Sequence, residues 1–238
     1  MSKKYAALFV ALLLISGCVT TKTEVKSDDT KAVSEKLLSK VNFLALKSET
    51  LAVSYDNMHI AYASRDGDKQ YVTFDHEEGK RYDSITVSPM ISPDGGYVAY
   101  VAKRNNKQFV VVGGNEGKEY DEIPVKSFCF SPDGKRIAYV AKEGDKQFLV
   151  VDGVEDRRYD EVFKDTITFS RDGKHIGYIG RNGSKISVIV DGKEYDAGIY
   201  YPLAGVGQWK IIFYPDETFS YVAVKEDSIY FVKEAIKR

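Results

Sequence analysis

Cysteine, histidine and tryptophan are scarce in this chain. Its 238 residues include two cysteines, three histidines and a single tryptophan. Two cysteines cannot build the disulfide network of a small secreted scaffold, and three scattered histidines offer no dense metal-binding cluster. The 34 basic and 35 acidic residues nearly balance, so the chain lacks the basic excess typical of nucleic-acid binders. We therefore expect no nucleic acid among its partners.

Long apolar runs are also few, and the most prominent one lies at the N-terminus. Lys3 and Lys4 precede an apolar stretch at residues 6–15, which is too short to span a bilayer comfortably. The sequence Ile15-Ser16-Gly17-Cys18 follows directly. A basic start, an apolar centre and small residues before a cleavage point are typical of an export signal.

The Ile-Ser-Gly-Cys sequence resembles the bacterial lipobox. The resemblance implies that residues 1–17 are a lipoprotein signal peptide and that Cys18 carries a diacylglycerol, with a further acyl chain such as palmitate on its amino group. Several alkyl chains would tether the protein stably to a membrane of the cell envelope. Because Val19 is not the aspartate associated with inner-membrane retention, an outer-membrane position facing the periplasm is favoured for a Gram-negative source. An ordinary secretory signal with an incidental cysteine is the alternative.

Residues 18–40 are predicted to hold the lipidated cysteine, a flexible tether and a short helix. Residues 19–31 are rich in Thr, Lys, Asp, Glu and Ser and show no apolar period, as in a solvated linker. Four apolar residues then fall at helical spacing: Val33, Leu37, Leu38 and Val41. The folded domain is expected to occupy residues 41–238.

Five copies of one motif divide that domain. The copies are SYDNMHIAY from Ser54, SPDGGYVAY from Ser92, SPDGKRIAY from Ser131, SRDGKHIGY from Ser170 and a shorter YPDETFSY from Tyr214. A second marker, a Tyr-Asp pair, recurs in step at Tyr82, Tyr120, Tyr159 and Tyr195. Two interleaved markers with spacings of 36 to 44 residues indicate a repeat architecture.

Each repeat is predicted to form four strands. In the third repeat the strands fall near residues 126–130, 136–141, 147–151 and 158–163, separated by Pro-Asp-Gly, Gly-Asp and Asp-Gly turns. Four-stranded units of this period are typical of propeller blades. We therefore predict an all-β fold, a small β-propeller of about five four-stranded blades.

The motif F-S-P-D-G-K-R-I-A-Y-V at residues 130–140 resembles the WD-like repeat of the TolB type, found in bacterial periplasmic propellers. The resemblance covers about residues 51–233. It implies a propeller fold and carries no partner or activity with it, because such blades host many functions.

The packing and the closure of the blades can also be predicted. On the second strand of each repeat, a tyrosine follows a small residue, as in Ala138-Tyr139. A ring of one sheet can therefore fill the space beside the next sheet. The last repeat supplies only three strands. We expect residues 41–47 to pair beside residues 228–233 and complete the fifth blade. Alternatively, the short helix extends through residues 41–47.

Most chemistry-bearing residues are assigned structural roles. Asp94, Asp133, Asp172 and Asp216 recur singly in turns, and the Tyr-Asp pairs recur at strand ends, so we expect neither to bind a metal. His59, His76 and His175 do not converge, and Cys129 is expected to be a buried thiol. No motif points to catalytic residues, a metal or a cofactor.

One stretch departs from the repeat. Residues 197–209, AGIYYPLAGVGQW, lengthen the interval between the fourth and fifth motifs and contain Tyr200, Tyr201 and Trp209. Aromatic side chains on loops are common binding anchors, although these could instead fill a channel or seal the ring. The sequence thus favours a noncatalytic module that binds a protein or a cell-envelope polymer. The alternative is a hydrolase or lyase built on a propeller and acting on an envelope polymer.

Overall fold

The computed structural model describes residues 37–38, 40, 42, 44–199, 210–225 and 228–236. All of them belong to one compact unit, Leu37–Arg238. Cys18, the signal peptide and the tether lie outside the described residues, as does most of the predicted helix. Regular structure in the described part consists of β-strands and two single-turn 3₁₀ segments. No helix there has the length and apolarity needed to cross a membrane.

The first three repeats each form an antiparallel four-stranded sheet, as predicted. The fourth strand of the third repeat lies at Val154–Glu155 and not at the predicted residues 158–163, because Glu161–Val162 pairs within the next sheet. Blade 1 comprises β1 (Ala52–Val53), β2 (Ile60–Asp66), β3 (Lys69–Phe74) and β4 (Glu77–Glu78). Blade 2 comprises β5 (Ser84–Ile91), β6 (Val98–Arg104), β7 (Lys107–Val112) and β8 (Asn115–Glu116). Blade 3 comprises β9 (Phe128–Phe130), β10 (Ile137–Glu143), β11 (Lys146–Val151) and β12 (Val154–Glu155).

The last two repeats vary this plan. Blade 4 has a first strand in two pieces, β13 (Glu161–Val162) and β14 (Thr168–Phe169), followed by β15 (Ile176–Asn182), β16 (Lys185–Val190) and β17 (Lys193–Ile199). Blade 5 comprises β18 (Ile212–Tyr214), β19 (Thr218–Lys225) and β20 (Ser228–Ala235). The all-β, blade-based fold class predicted from the repeats is therefore confirmed.

Consecutive sheets pack face to face through a repeated contact between a ring and a small residue. In blade 2, Tyr100 is 2% exposed and packs towards Ala61 and Ala63 of blade 1. In blade 3, Tyr139 packs in the same way towards Ala99 of blade 2. The equivalent rings of blades 4 and 5, Tyr178 and Tyr221, are also buried between sheets. The predicted packing of rings beside small residues is confirmed for Tyr100, Tyr139 and Tyr178, which share clusters with the alanines of the preceding blade.

Gly177 shows why the position before each tyrosine stays small. A Cβ at this glycine would lie 3.0 Å from Ile211 Cδ1 and 3.2 Å from Phe213 Cζ, both presented by the segment that opens blade 5. Close packing of this kind leaves no room for even a methyl group without movement of the neighbours. The small residue therefore sets the separation between the two sheets.

The predicted pairing of residues 41–47 with residues 228–233 is wrong for residues 44–47, which the structure describes. Leu46 forms a bridge with Ser64 of β2, Lys47 N–H donates to Ala63 O at 3.0 Å, and Arg65 N–H donates to Ala45 O at 3.0 Å. The segment therefore belongs to blade 1, whereas β20 pairs with β19. The alternative of an extended helix is also wrong for these residues. Residues 44–45 form a turn, Leu46 forms a β-bridge, and Lys47 is extended before a 3₁₀ turn at Ser48–Thr50.

A local motif around Thr50 explains why residues 44–47 join blade 1, and blade 4 contains the same motif around Thr166. Thr50 Oγ1 donates to Lys47 O at 2.6 Å and accepts from Ala63 N–H at 2.9 Å. Thr166 Oγ1 likewise donates to Phe163 O at 2.6 Å and accepts from Ile179 N–H at 3.0 Å. In both blades the threonine replaces missing ladder bonds where a 3₁₀ turn interrupts the first strand.

We predict that Thr50→Val lowers the free energy of unfolding by about 1–3 kcal/mol, because it leaves a buried backbone N–H without its acceptor. Thr166→Val should have an effect of the same size. Thr168→Val is the matched control, since its hydroxyl is half-buried and makes only a 3.4 Å contact. Denaturant titration measures the free energy of unfolding of all three variants. Equal stability of Thr50→Val and the parent protein would contradict the assignment of residues 44–50 to blade 1.

Candidate functional site

The sheets present two rims that differ in regularity. We call the turn rim the edge formed by the Ser-x-Asp motif turns and by the hairpins between the third and fourth strands. We call the connection rim the opposite edge, where hairpins between the second and third strands lie beside the segments that join consecutive blades. β17 ends and β18 begins at the connection rim, and residues 200–209 lie between these two strands in the sequence. Tyr200, Tyr201 and Trp209 themselves lie outside the described residues, and their role stays a prediction.

The turn rim consists of near-identical polar turns. Ser92 Oγ donates to Asp94 Oδ1 at 2.6 Å, and the same carboxylate accepts from Gly96 N–H at 3.2 Å. Asp133 and Asp172 make the same pair of contacts within their own turns. The serine hydroxyl holds the pKa of each of these aspartates below its usual range, and that of Asp172 falls to about 2. The turn role predicted for these three aspartates is confirmed.

The turns also stack on one another across blades. The Tyr97 hydroxyl donates to Gly134 O, and Arg136 Nη1 donates to Gly173 O at 3.2 Å. A Cβ at Gly134 would lie 2.9 Å from Asp94 Oδ1, and Gly134 has a φ of 74°. Glycine is required there by both its backbone conformation and this close approach. The polar groups of the turn rim are therefore largely engaged with one another.

Two histidines complete this rim through partners that the sequence analysis missed. His59 Nδ1 lies 2.9 Å from Asp75 Oδ2, and His175 Nδ1 lies 2.6 Å from Asp191 Oδ2. Each aspartate also accepts from the first backbone N–H of the second strand, Ile60 or Ile176. The available signal was a hairpin aspartate 16 residues after each histidine. The histidines bind separate carboxylates on separate blades, as predicted from their divergence.

In the described part of the chain, no group of residues is arranged to bind a metal ion or to activate a thiol. The ranges given above contain no group of three or more His, Cys, Asp or Glu residues placed to hold a metal ion. Cys129 is half-buried against the core between blades 3 and 4, and burial raises the pKa of its thiol to about 11. A neutral thiol is a poor nucleophile.

The connection rim is held by the Tyr-Asp pairs. Lys107 Nζ binds Asp121 Oδ1 at 2.6 Å, and Asp121 Oδ2 accepts from Gly144 N–H of the next blade at 2.8 Å. Asp83 and Asp160 make the same two kinds of contact. The predicted strand-end role is confirmed for these three pairs, each of which also links neighbouring blades. It is wrong for the fourth pair, because Tyr195 and Asp196 lie within β17.

Between these links the connection rim is irregular. The segment from blade 2 to blade 3 contains Pro124 and the exposed Val125, whereas the segment from blade 3 to blade 4 contains a 3₁₀ turn at Lys164–Thr166. Lys164 Nζ donates to Val125 O at 3.1 Å, which joins the two segments. The repeat therefore does not dictate the surface of this rim.

The two segments line a half-open cavity of about 330 Å³. Its lining includes Pro124 and Phe163 together with three carboxylates, Glu122, Glu161 and Asp165. Arg181 Nε lies 3.2 Å from Glu161 Oε2, and Lys142 Nζ lies 4.0 Å from Glu122 Oε2. The cavity thus combines apolar surface with acidic groups of which at least two are paired to cations.

A second cavity of about 410 Å³ lies at the outer face of blade 1. It is lined by Tyr62, Tyr71 and His76 from the sheet and by Leu37 and Leu38 from the segment before it. The Tyr62 hydroxyl lies 3.4 Å from Lys40 O. Leu37 and Leu38 therefore lie near the face of blade 1 that carries Tyr62 and Tyr71.

Comparison with known proteins gives similarity of architecture only. No family model matches the chain, and no curated protein matches it. Similar solved structures include TolB from Acinetobacter baumannii (16% identity, 78% of this chain, 51% of that chain, TM-score 0.40). They also include a functionally unknown protein from Desulfotomaculum acetoxidans (15% identity, 86% of this chain, 74% of that chain, TM-score 0.40). An acylaminoacyl peptidase from Pyrococcus horikoshii is a third (14% identity, 77% of this chain, 36% of that chain, TM-score 0.39).

The chain spans about half the length of the TolB structure that it resembles. The fold described above rests on the sheets, their register and their packing, and similarities at this level add neither an activity nor a partner to it.

Proposed function

We propose that this protein is a noncatalytic binding module, tethered to a membrane through lipid on Cys18, which presents the connection rim to a protein or a cell-envelope polymer. The supporting observation is the contrast between the two rims. Turn-rim polar groups bind one another in the same pattern blade after blade. The connection rim has the irregular segments, the mixed cavity and the ends of the aromatic insertion.

The composition of the connection rim suits recognition. Val125 is 56% exposed, and it lies beside a cavity with apolar walls and carboxylates. Binding surfaces commonly combine an apolar centre with a few oriented polar groups. Residues 200–209 would add two tyrosines to the same rim, and Trp209 would add a third large ring. Side chains of this kind offer large contact area with few rotatable bonds.

The lipid anchor accounts for the N-terminal segment. The export signal ends at a lipobox cysteine, and a polar stretch separates that cysteine from the first described residues of the domain. A solvated linker would let the domain move over the membrane surface while it stays attached. An outer-membrane position facing the periplasm is part of this proposal for a Gram-negative source.

We predict that Cys18→Ser abolishes acylation and releases the processed protein from the membrane pellet. Cys129→Ser is the matched control and should stay in the pellet, because its thiol is half-buried in the domain. Membrane fractionation after a high-salt wash, with mass spectrometry of the N-terminal peptide, measures both. A Cys18→Ser protein that remains in the washed pellet and still carries fatty acid would contradict the anchoring proposal.

We predict that the double change Tyr200→Ala and Tyr201→Ala reduces capture of the partner from detergent-solubilised envelope and leaves the Tm nearly unchanged. Tyr55→Ala is the control, since Tyr55 is 98% exposed in a motif turn of the opposite rim. A large fall in Tm would assign the two rings to the core, where truncation of an aromatic residue typically costs about 3–5 kcal/mol. Unchanged capture would move the binding surface away from the insertion.

The hydrolase or lyase alternative depends on a different measurement. Its acid and base would have to come from the carboxylates that line the connection-rim cavity, because carboxylate pairs perform this chemistry in polymer-cleaving enzymes. Release of soluble fragments from isolated envelope polymer by the parent protein, and its loss in Glu161→Gln, would favour the enzyme over the binding module.

A further inference from the structure

The outer face of blade 1 departs from the repeat at three positions. In blades 2 and 3 the equivalent face packs against the preceding sheet and carries alanine, phenylalanine and valine. The residues at the same registers of blade 1 are Ser64, Tyr71 and Thr73. Their counterparts are Ala102, Phe109 and Val111 in blade 2 and Ala141, Phe148 and Val150 in blade 3. Each exchange therefore adds one hydroxyl group to a side chain of similar shape.

These hydroxyl-bearing residues line the cavity of about 410 Å³ at this face, and Tyr62 brings a fourth hydroxyl group to it. Ser64 is 2% exposed, and Thr73 and Tyr62 are each 4% exposed. A polar end surface that served only to keep the domain in solution would present its hydroxyl groups to water. Three of the four residues are instead withdrawn from bulk water. The exchanges therefore build a polar recess rather than a hydrated surface.

The hydroxyl group of Thr73 has no partner of its own. It makes no hydrogen bond within the part of the chain that the structure describes. Withdrawing a hydroxyl group from water without a hydrogen bond is unfavourable. The repeat does not require this group, because valine or isoleucine fills the same position in blades 2 to 4. The Thr73 hydroxyl can therefore donate to, and accept from, a molecule in the cavity.

The charges around the cavity balance one another. The lining contains one lysine, Lys40, and one carboxylate, Glu78, together with His76. Glu78 Oε2 lies 2.7 Å from Arg81 Nη2, and the same guanidinium binds Asp66 at 3.3 Å. A site for an ion would instead surround its ligand with unpaired charges of the opposite sign. The arrangement therefore favours an uncharged ligand.

The combination of hydroxyl groups and apolar surface indicates the class of that ligand. A hydroxyl group both donates and accepts, so it matches a ligand whose own polar groups do the same. Leu37, Leu38 and the ring of Tyr62 add apolar surface to the lining. Sugar rings have this combination, with hydroxyl groups around the edge and C–H groups on the faces. A volume of about 410 Å³ also lies within the usual range of small-molecule sites.

We propose that the cavity on the outer face of blade 1 binds a sugar unit of an uncharged glycan through the hydroxyl groups of Ser64, Tyr71 and Thr73. The site is separate from the connection rim, so it goes beyond the proposed function. It depends neither on the lipid on Cys18 nor on residues 200–209.

Substitutions taken from the repeat test this site. Thr73→Val and Tyr71→Phe introduce the residue types of blades 2 and 3, and each removes one hydroxyl group. Isothermal titration calorimetry of the full chain carrying Cys18→Ser, with glucose, galactose and N-acetylglucosamine as probes, measures the Kd. We expect at least one of these sugars to bind with a millimolar Kd. Each substitution should raise that Kd about tenfold, which corresponds to the loss of about one hydrogen bond.

Thr168→Val is the matched control for the titration. It removes a half-buried hydroxyl group from blade 4, far along the chain from the cavity, and should leave the Kd unchanged. The Tm of Thr73→Val and of Tyr71→Phe should equal or exceed that of the parent, because valine and phenylalanine fit these positions in the neighbouring blades.

Three results would overturn the proposal. The first is the absence of binding for all three sugars, and the second is an equal Kd for the parent and Thr73→Val. The third is a fall in Tm for both variants, which would assign the hydroxyl groups to the fold. The connection rim is tested separately by the double change Tyr200→Ala and Tyr201→Ala, so the failure of either proposal leaves the other standing.

Discussion

The contact of an aromatic ring with a small residue on the neighbouring sheet is the interaction on which the rest of this structure depends. Each blade is only three or four strands wide, so its apolar faces must be buried by another blade. Between blades 1 and 4 the ring packs beside the small residue of the preceding sheet, and at Gly177 the side chains of Ile211 and Phe213 take the ring's place. The turn and connection rims are then held in register, because their hydrogen bonds join residues that the packing has already brought together.

The same constraint explains why much of the fold could be predicted from the sequence. The pair Ala138-Tyr139 and its equivalents indicate how neighbouring sheets pack, and the Pro-Asp-Gly and Asp-Gly turns indicate where strands end. The place of residues 44–47 could not be predicted in this way, because their pairing with β2 depends on a buried threonine within a 3₁₀ turn that resembles a loop. The partners of His59 and His175 were missed for a related reason. Each pair joins residues 16 positions apart, which only the hairpin geometry brings together.

The regularity of the repeat also distinguishes surface residues with a structural role from those available for function. The serine and aspartate pairs of the turn rim recur because each turn supports the next, and this leaves those groups little capacity for a ligand. The connection rim has no such constraint, so its segments differ in length and composition. The outer faces of the first and last blades also differ. Leu37 and Leu38 lie near the outer face of blade 1, whereas blade 5 exposes Val222 and Phe231. Function is therefore expected where the repeat stops dictating the residue.

Tyrosine ionisation tests the packing on which this account depends. Burial between sheets raises the pKa of Tyr139 and Tyr159 to about 12, and it raises the pKa of Tyr82, Tyr120 and Tyr178 further. The fold holds these phenols neutral, so stability is retained below their unfolded pKa of about 10 and is lost as the pH rises towards the folded values. Near-ultraviolet absorbance should therefore show two groups of tyrosines, with the buried group ionising only as circular dichroism reports unfolding. Ionisation of all 17 tyrosines near pH ~10 in a protein that remains folded would contradict the account.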